Sequence, residues 1–231
     1  MSRAVDVVSP AGPGSFRSVA FTVVAFGIAM GFLEGAVVAY LRAAIGAGTA
    51  IPDFDEAVFR RFEAIEVARE GATLVMIGAV GWLAGRTRLE RLAWAAVVFG
   101  AWDIVYYVAL RLAIGWPASL TDWDVLFLIP DAWVGPVWAP IAVSLALVGF
   151  GLVTARRLRL GRSVLLGRRA AGAALAGGYL VITSFLVDSA RLVAGDQGPW
   201  TGWPLFWAGM GLAVAASIAA LRDRSATGMP G

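Results

Sequence analysis

Six long apolar runs decide what this chain can fold into. They cover residues 18–43, 66–85, 92–114, 137–155, 170–192 and 204–221, each 18–26 residues long. At about 1.5 Å per residue, a helix of that length crosses a hydrocarbon core of roughly 30 Å. Hydrophobic residues make up 59% of the 231, and charged residues 15%, against about 45–50% and 25% in soluble domains. So little polar surface cannot cover a globule, and lipid must cover the remainder. The expected fold is all-α, a polytopic bundle of about six transmembrane helices forming one domain over 18–221. A mobile tail at 1–17, marked by Pro10, Gly12 and Pro13, precedes it, and a second tail at 222–231 follows. The first run is too long for the h-region of a cleaved signal.

The arginines orient the bundle. Arg3, Arg17, Arg86, Arg88, Arg91, Arg156, Arg157, Arg159, Arg162, Arg168, Arg169, Arg222 and Arg224 all fall on one side of a six-helix topology. The loop at 115–136 has no basic residue and three acids, Asp122, Asp124 and Asp131. The positive side faces the cytoplasm, which places both termini inside and predicts a multi-pass protein of a bacterial inner (cytoplasmic) membrane. The same distribution accounts for the net charge of +3 and the pI near 9.9 without nucleic acid as a partner.

The opposite, outer side carries the elaborate loops. Residues 53–65 place Phe54, Val58, Phe62 and Ile65 at helical spacing behind Asp53 as N-cap, and predict an amphipathic outer-surface helix. Between Gly115 and Pro136, Thr121 is placed to cap a short interfacial helix at 122–129, with Asp122 and Asp124 on its positive end and Pro130 stopping it. Trp116, Trp123 and Trp133 in this loop, with Trp200, Trp203 and Trp207 later, read as an aromatic belt at a membrane boundary or as a ligand cage.

The polar vocabulary limits the chemistry. The chain has no His and no Cys, and all 19 basic residues are Arg. Zinc sites of the usual kind and His- or Cys-dependent catalysis are excluded. No cofactor is expected, since haem and zinc lack their usual ligands; any metal would be a hard cation held by oxygen. Ionisable residues inside the spans then stand out, because each costs roughly 2.5–3.5 kcal/mol at mid-helix. Glu34 shares a helix face with Gly27, Gly31 and Gly35, a ladder that admits a neighbouring helix. Glu63, Glu66, Glu70 and Thr73 form a stripe opening the second helix, where Glu66 and Glu70 repel unless one is protonated or Arg69 offsets them. Asp103 falls near mid-membrane, with Tyr106 and Tyr107 spaced to reach it. Arg111 lies further out, and Ser184, Asp188 and Arg191 share a face of the fifth helix. Each group also admits a structural role: a packing hydrogen bond for Glu34 and Asp103, a solvated helix end for the Glu stripe, an interfacial ion pair for Asp188 and Arg191. All of them fall in the middle or outer half, which predicts an outward-opening polar site.

Two stretches carry a resemblance. Trp102-Asp103, Tyr106-Tyr107, Trp116-Pro117, Trp123-Asp124, Leu126 to Pro130, Trp133 and Gly135-Pro136-Val137 resemble a pattern in a group of uncharacterised bacterial membrane proteins. It covers about 40 residues and implies no activity. Trp133-Val134-Gly135-Pro136-Val137-Trp138 is similar to the Trp-x-x-Gly-Pro-Val-Trp signature of the tryptophan-rich sensory proteins, shorter five-helix bundles that bind porphyrins and sterols. The present chain has a further helix, and its other helices do not align with that family.

The leading expectation is binding or translocation of a cation or small polar solute, coupled through Asp103 and Glu34. The alternative is an accessory, non-catalytic subunit of a larger respiratory or photosynthetic membrane complex, since glycine ladders and abundant Trp also suit docking. Expected partners are the lipid bilayer and either other membrane subunits or further copies of the chain. An intramembrane enzyme with carboxylates as acid and base is the least favoured reading, because His, Cys and Lys are missing.

Overall fold

The computed structural model describes residues 14–44, 56–129, 131–164, 167–193 and 198–222, with the backbone alone for 56–63 and 192–193. In chain order the elements are α1 (Phe16–Ala44), α2 (Glu56–Ala84), α3 (Arg88–Ile114), β1 (Trp123–Phe127), β2 (Trp133–Pro136), α4 (Trp138–Arg159), α5 (Arg168–Leu186), α6 (Ser189–Val193) and α7 (Trp203–Leu221). Six spans are long and apolar enough to cross a membrane, with α5 and α6 counted together as Arg168–Arg191. From Glu56 on, the amphipathic segment is the opening of α2; Asp53 lies outside the described residues.

α3 is the hub, with α1, α2 and α4 all packed along it. Its ends are set locally. Thr87 caps it by accepting the Glu90 N–H at 3.2 Å, and Gly115, at φ 74°, ends it by donating its N–H to the Arg111 carbonyl at 3.1 Å. The glycine ladder of α1 does bring a helix close, and that helix is α3, running parallel. Gly27 faces Val98 and Ala101, Gly31 faces Trp102 and Val105, and Gly35 faces Tyr106 and Ala109. A Cβ on Gly27 would lie 2.8 Å from that of Ala101, so only glycine admits this approach. α4 crosses α3 antiparallel, with Gly100 on Ser144 and Gly151 on Ala93. α5 and α7 form a second antiparallel pair, joined through Gly177 and Gly209. The starts of α1, α3 and α5 and the ends of α2, α4 and α7 thus share one end, the arginine-rich end. The loop after α3 lies at the other, the hairpin end.

That loop corrects the expectation of a short helix at 122–129. It is an antiparallel β-hairpin, pairing Trp123 with Pro136, Asp124 with Gly135, Val125 with Val134 and Phe127 with Trp133, with a bulge between Val125 and Phe127. Trp123, Val125 and Phe127 are strand formers at alternate positions, and that pattern outweighs the capping signal. Thr121 hydrogen-bonds Ser119 at 2.8 Å, while Asp122 folds back to accept the N–H groups of Ala118 and Ser119 at 2.7 and 3.2 Å. Neither caps a helix.

The hairpin does not lie on the surface. The Phe127 ring meets Phe99 and Trp102 of α3, with centroids 6.4 and 6.1 Å apart, and Trp133 stacks on Phe185 of α5 at 6.5 Å. Phe99 stands fifteen residues before the end of α3, so the tip reaches roughly 20 Å down the bundle. Non-helical backbone survives at such depth only where protein covers it. Here Val134 and Val137 are fully buried, and Gly135 lies against the Phe185 ring. The belt expectation divides accordingly. Trp203 and Trp207 are more than half exposed, whereas Trp116 and Trp200 are buried and Trp123 and Trp133 half-buried within the bundle.

Candidate functional site

Where the hairpin enters, polar side chains from five elements converge. From α2, the Arg69 guanidinium forks onto one oxygen of Glu66, at 2.9 Å from Nε and 2.8 Å from Nη2, and pairs through Nη1 with Glu34 of α1. The glycines of α1 therefore face α3 while Glu34, next to them, turns to α2. One turn along α2, Glu70 accepts the N–H of Leu128 at 2.9 and 3.1 Å. The hairpin thus has a backbone donor met by a carboxylate rather than left bare. Thr73 is buried below it.

On the α3 side, Asp124 of β1 is 3% exposed. It accepts the Tyr107 hydroxyl at 3.0 Å and lies 3.7 Å from Arg42 of α1, whose guanidinium sits 4.0 Å over the Trp116 ring. Burial pushes the Asp124 carboxyl up from 3.8 to about 6, against the opposing pull of Arg42, the Tyr107 hydroxyl and the Val125 N–H. Tyr106 packs edge-on against Tyr107, with centroids 4.9 Å apart.

Asp103 of α3 is buried as well, 8% exposed. Tyr106 and Tyr107 do not bond it. Ser144 of α4 donates to it at 2.8 Å. The tyrosines run along α3 toward the hairpin end, so the Tyr107 hydroxyl meets the hairpin's carboxylate instead. Among the described residues no arginine pairs with Asp103.

The structure therefore brings together Glu34, Glu66, Glu70, Asp103, Tyr106, Tyr107, Asp124 and Trp116. It leaves the others elsewhere. Arg111 is exposed and donates to the carbonyls of Gly115 and Pro117 at 2.6 and 2.9 Å, closing the end of α3. Asp188 falls where the fifth helix breaks between α5 and α6. It accepts the Thr201 N–H and hydroxyl at 2.6 and 2.7 Å and pairs with Arg191 at 3.4 Å, so both fasten the loop before α7. Arg42 and Ser144 were not picked out from the sequence. Arg42 carried a signal, as an arginine at the end of a span opposite the arginine-rich loops. Ser144 carried a weaker one, as a polar residue in an otherwise apolar run.

Six apolar spans around a buried polar network define a multi-pass membrane protein. No protein-family model matches the chain, and no curated protein or solved structure matches it.

Proposed function

We propose that the protein binds or translocates a cation or small polar solute through this network, with protons as coupling partners and Asp103 as the group that exchanges them. The arginine-rich end would then face the cytoplasm of a bacterium and the site would open outward. One observation carries the reading. Five carboxyls (Glu34, Glu66, Glu70, Asp103 and Asp124) share the site with two guanidiniums, Arg42 and Arg69. A low-dielectric interior resists that excess of negative charge, so protons or a bound cation must complete it. A network serving only to pack helices gains nothing from such an imbalance. Below Asp103, α3 continues with Val97 and Val98, both fully buried and apolar, which supports polar access from the hairpin end.

The test is solid-supported membrane electrophysiology on reconstituted protein, challenged in turn with Na⁺, K⁺, Mg²⁺ and small amino acids. A solute-evoked current lost in both Asp103→Asn and Glu34→Gln is the expected result. No current with any solute, together with partner proteins co-purifying at fixed stoichiometry, would replace this reading with that of an accessory subunit.

A further inference from the structure

At the other end of the molecule, α1 and α4 both rest on α3 and leave a furrow between them. It has a volume of about 530 Å³ and is lined by Phe16, Ala20, Val24, Ile28 and Leu152, with Arg156 as its one charged residue. On α1 the lining runs from Phe16 to Ile28, about 18 Å of helix. That is close to half of a hydrocarbon core of roughly 30 Å, the depth of one leaflet. Arg156 is exposed in the last turn of α4, and Arg17, the residue after Phe16 on α1, is exposed as well. Among the described residues neither is paired with a carboxylate. The neighbouring Arg159, by contrast, is fully occupied by Glu90 and two carbonyls.

We infer that this furrow is a binding site for an anionic phospholipid, one acyl chain lying along α1 and the headgroup phosphate on Arg156. The furrow has the length and apolar lining of a chain, and its mouth carries uncompensated positive charge at headgroup depth. The site is independent of the polar network at the hairpin end.

The full chain is purified in detergent, delipidated and returned to mixed micelles of phosphatidylglycerol or phosphatidylcholine, and bound lipid is counted by native mass spectrometry. Phosphatidylglycerol should be retained and phosphatidylcholine washed out. Arg156→Gln should weaken retention about fivefold, the factor one arginine near an anionic surface is worth. Ala25→Trp, which fills the furrow from an exposed position, should abolish it, and Arg168→Gln on α5 should change nothing. If Arg156→Gln fails to fold, the wild type still decides the matter, since retention must fall as salt rises. Equal retention of both lipids, retention indifferent to salt, or full competition by inorganic phosphate alone would each overturn the assignment.

Discussion

Two buried carboxylates in this bundle, Glu90 at the arginine-rich end and Asp103 toward the hairpin end, are built in opposite ways. Glu90, 2% exposed, takes the Arg86 N–H at 2.9 Å, the Trp94 indole at 3.2 Å and Arg159 at 2.6 Å. Arg159 then spends its other donors on the carbonyls of Gly14 and Ala84 at 2.8 and 3.0 Å. The result ties together the start of α1, the α2–α3 turn and the end of α4, with one charge matched by one charge. Among the described residues, Asp103 has a single hydroxyl donor and no cation. A saturated, neutral cluster is a staple, whereas one of uneven charge leaves hydrogen-bonding capacity unused.

The strongest way to break that comparison is Arg159→Met, which strands Glu90 without its partner. Loss of one member of a buried pair costs about 3–5 kcal/mol, and thermal unfolding in detergent should show it as a large fall in melting temperature. A shift within experimental error would make the staple no more than a surface contact. An effect of similar kind but smaller size is expected from pH. The Asp124 carboxyl, raised to about 6, holds its proton more tightly in the folded chain than in the unfolded one. Stability from that proton is complete below about pH 4 and is lost as pH rises through 6, roughly 3 kcal/mol in all. Asp124→Asn should flatten this slope, measured as melting temperature against pH. The smallest effect belongs to Asp103→Asn. Its near-identical shape and single Ser144 contact predict a stability change under about 1 kcal/mol, together with loss of a protonated-carboxyl band from the pH-difference infrared spectrum. A change as large as that of Arg159→Met would make Asp103 a second staple.

Much of the bundle was legible because hydrophobic length is a direct consequence of the bilayer. The runs at 92–114 and 204–221 lie within a few residues of α3 and α7. α4 runs on to Arg159, past an expected end at 155, because arginines at a helix terminus extend into headgroups without ending the helix. The Glu90 staple was half visible, since Thr87 and Glu90 have the spacing of a capping box, although Arg159 joins it from a distant part of the chain. The hairpin was not legible. A short apolar loop between prolines reads equally as helix or strand, and what decides it is tertiary, namely that Phe127 and Trp133 find aromatic partners on α3 and α5. With the hairpin misread, Asp124 was left on the surface, and its meeting with Tyr107 and Arg42 could not be foreseen.

The hairpin's burial also dictates an order of assembly. Synthesis runs from the N-terminus, so β1 and β2 follow α1, α2 and α3 and precede α5. Until Phe185 is made, the face of the hairpin at Gly135 lacks the ring that covers it. The packing of β2 is therefore complete only when α5 has docked, although every side chain of the polar network belongs to an element that precedes α5 in the chain.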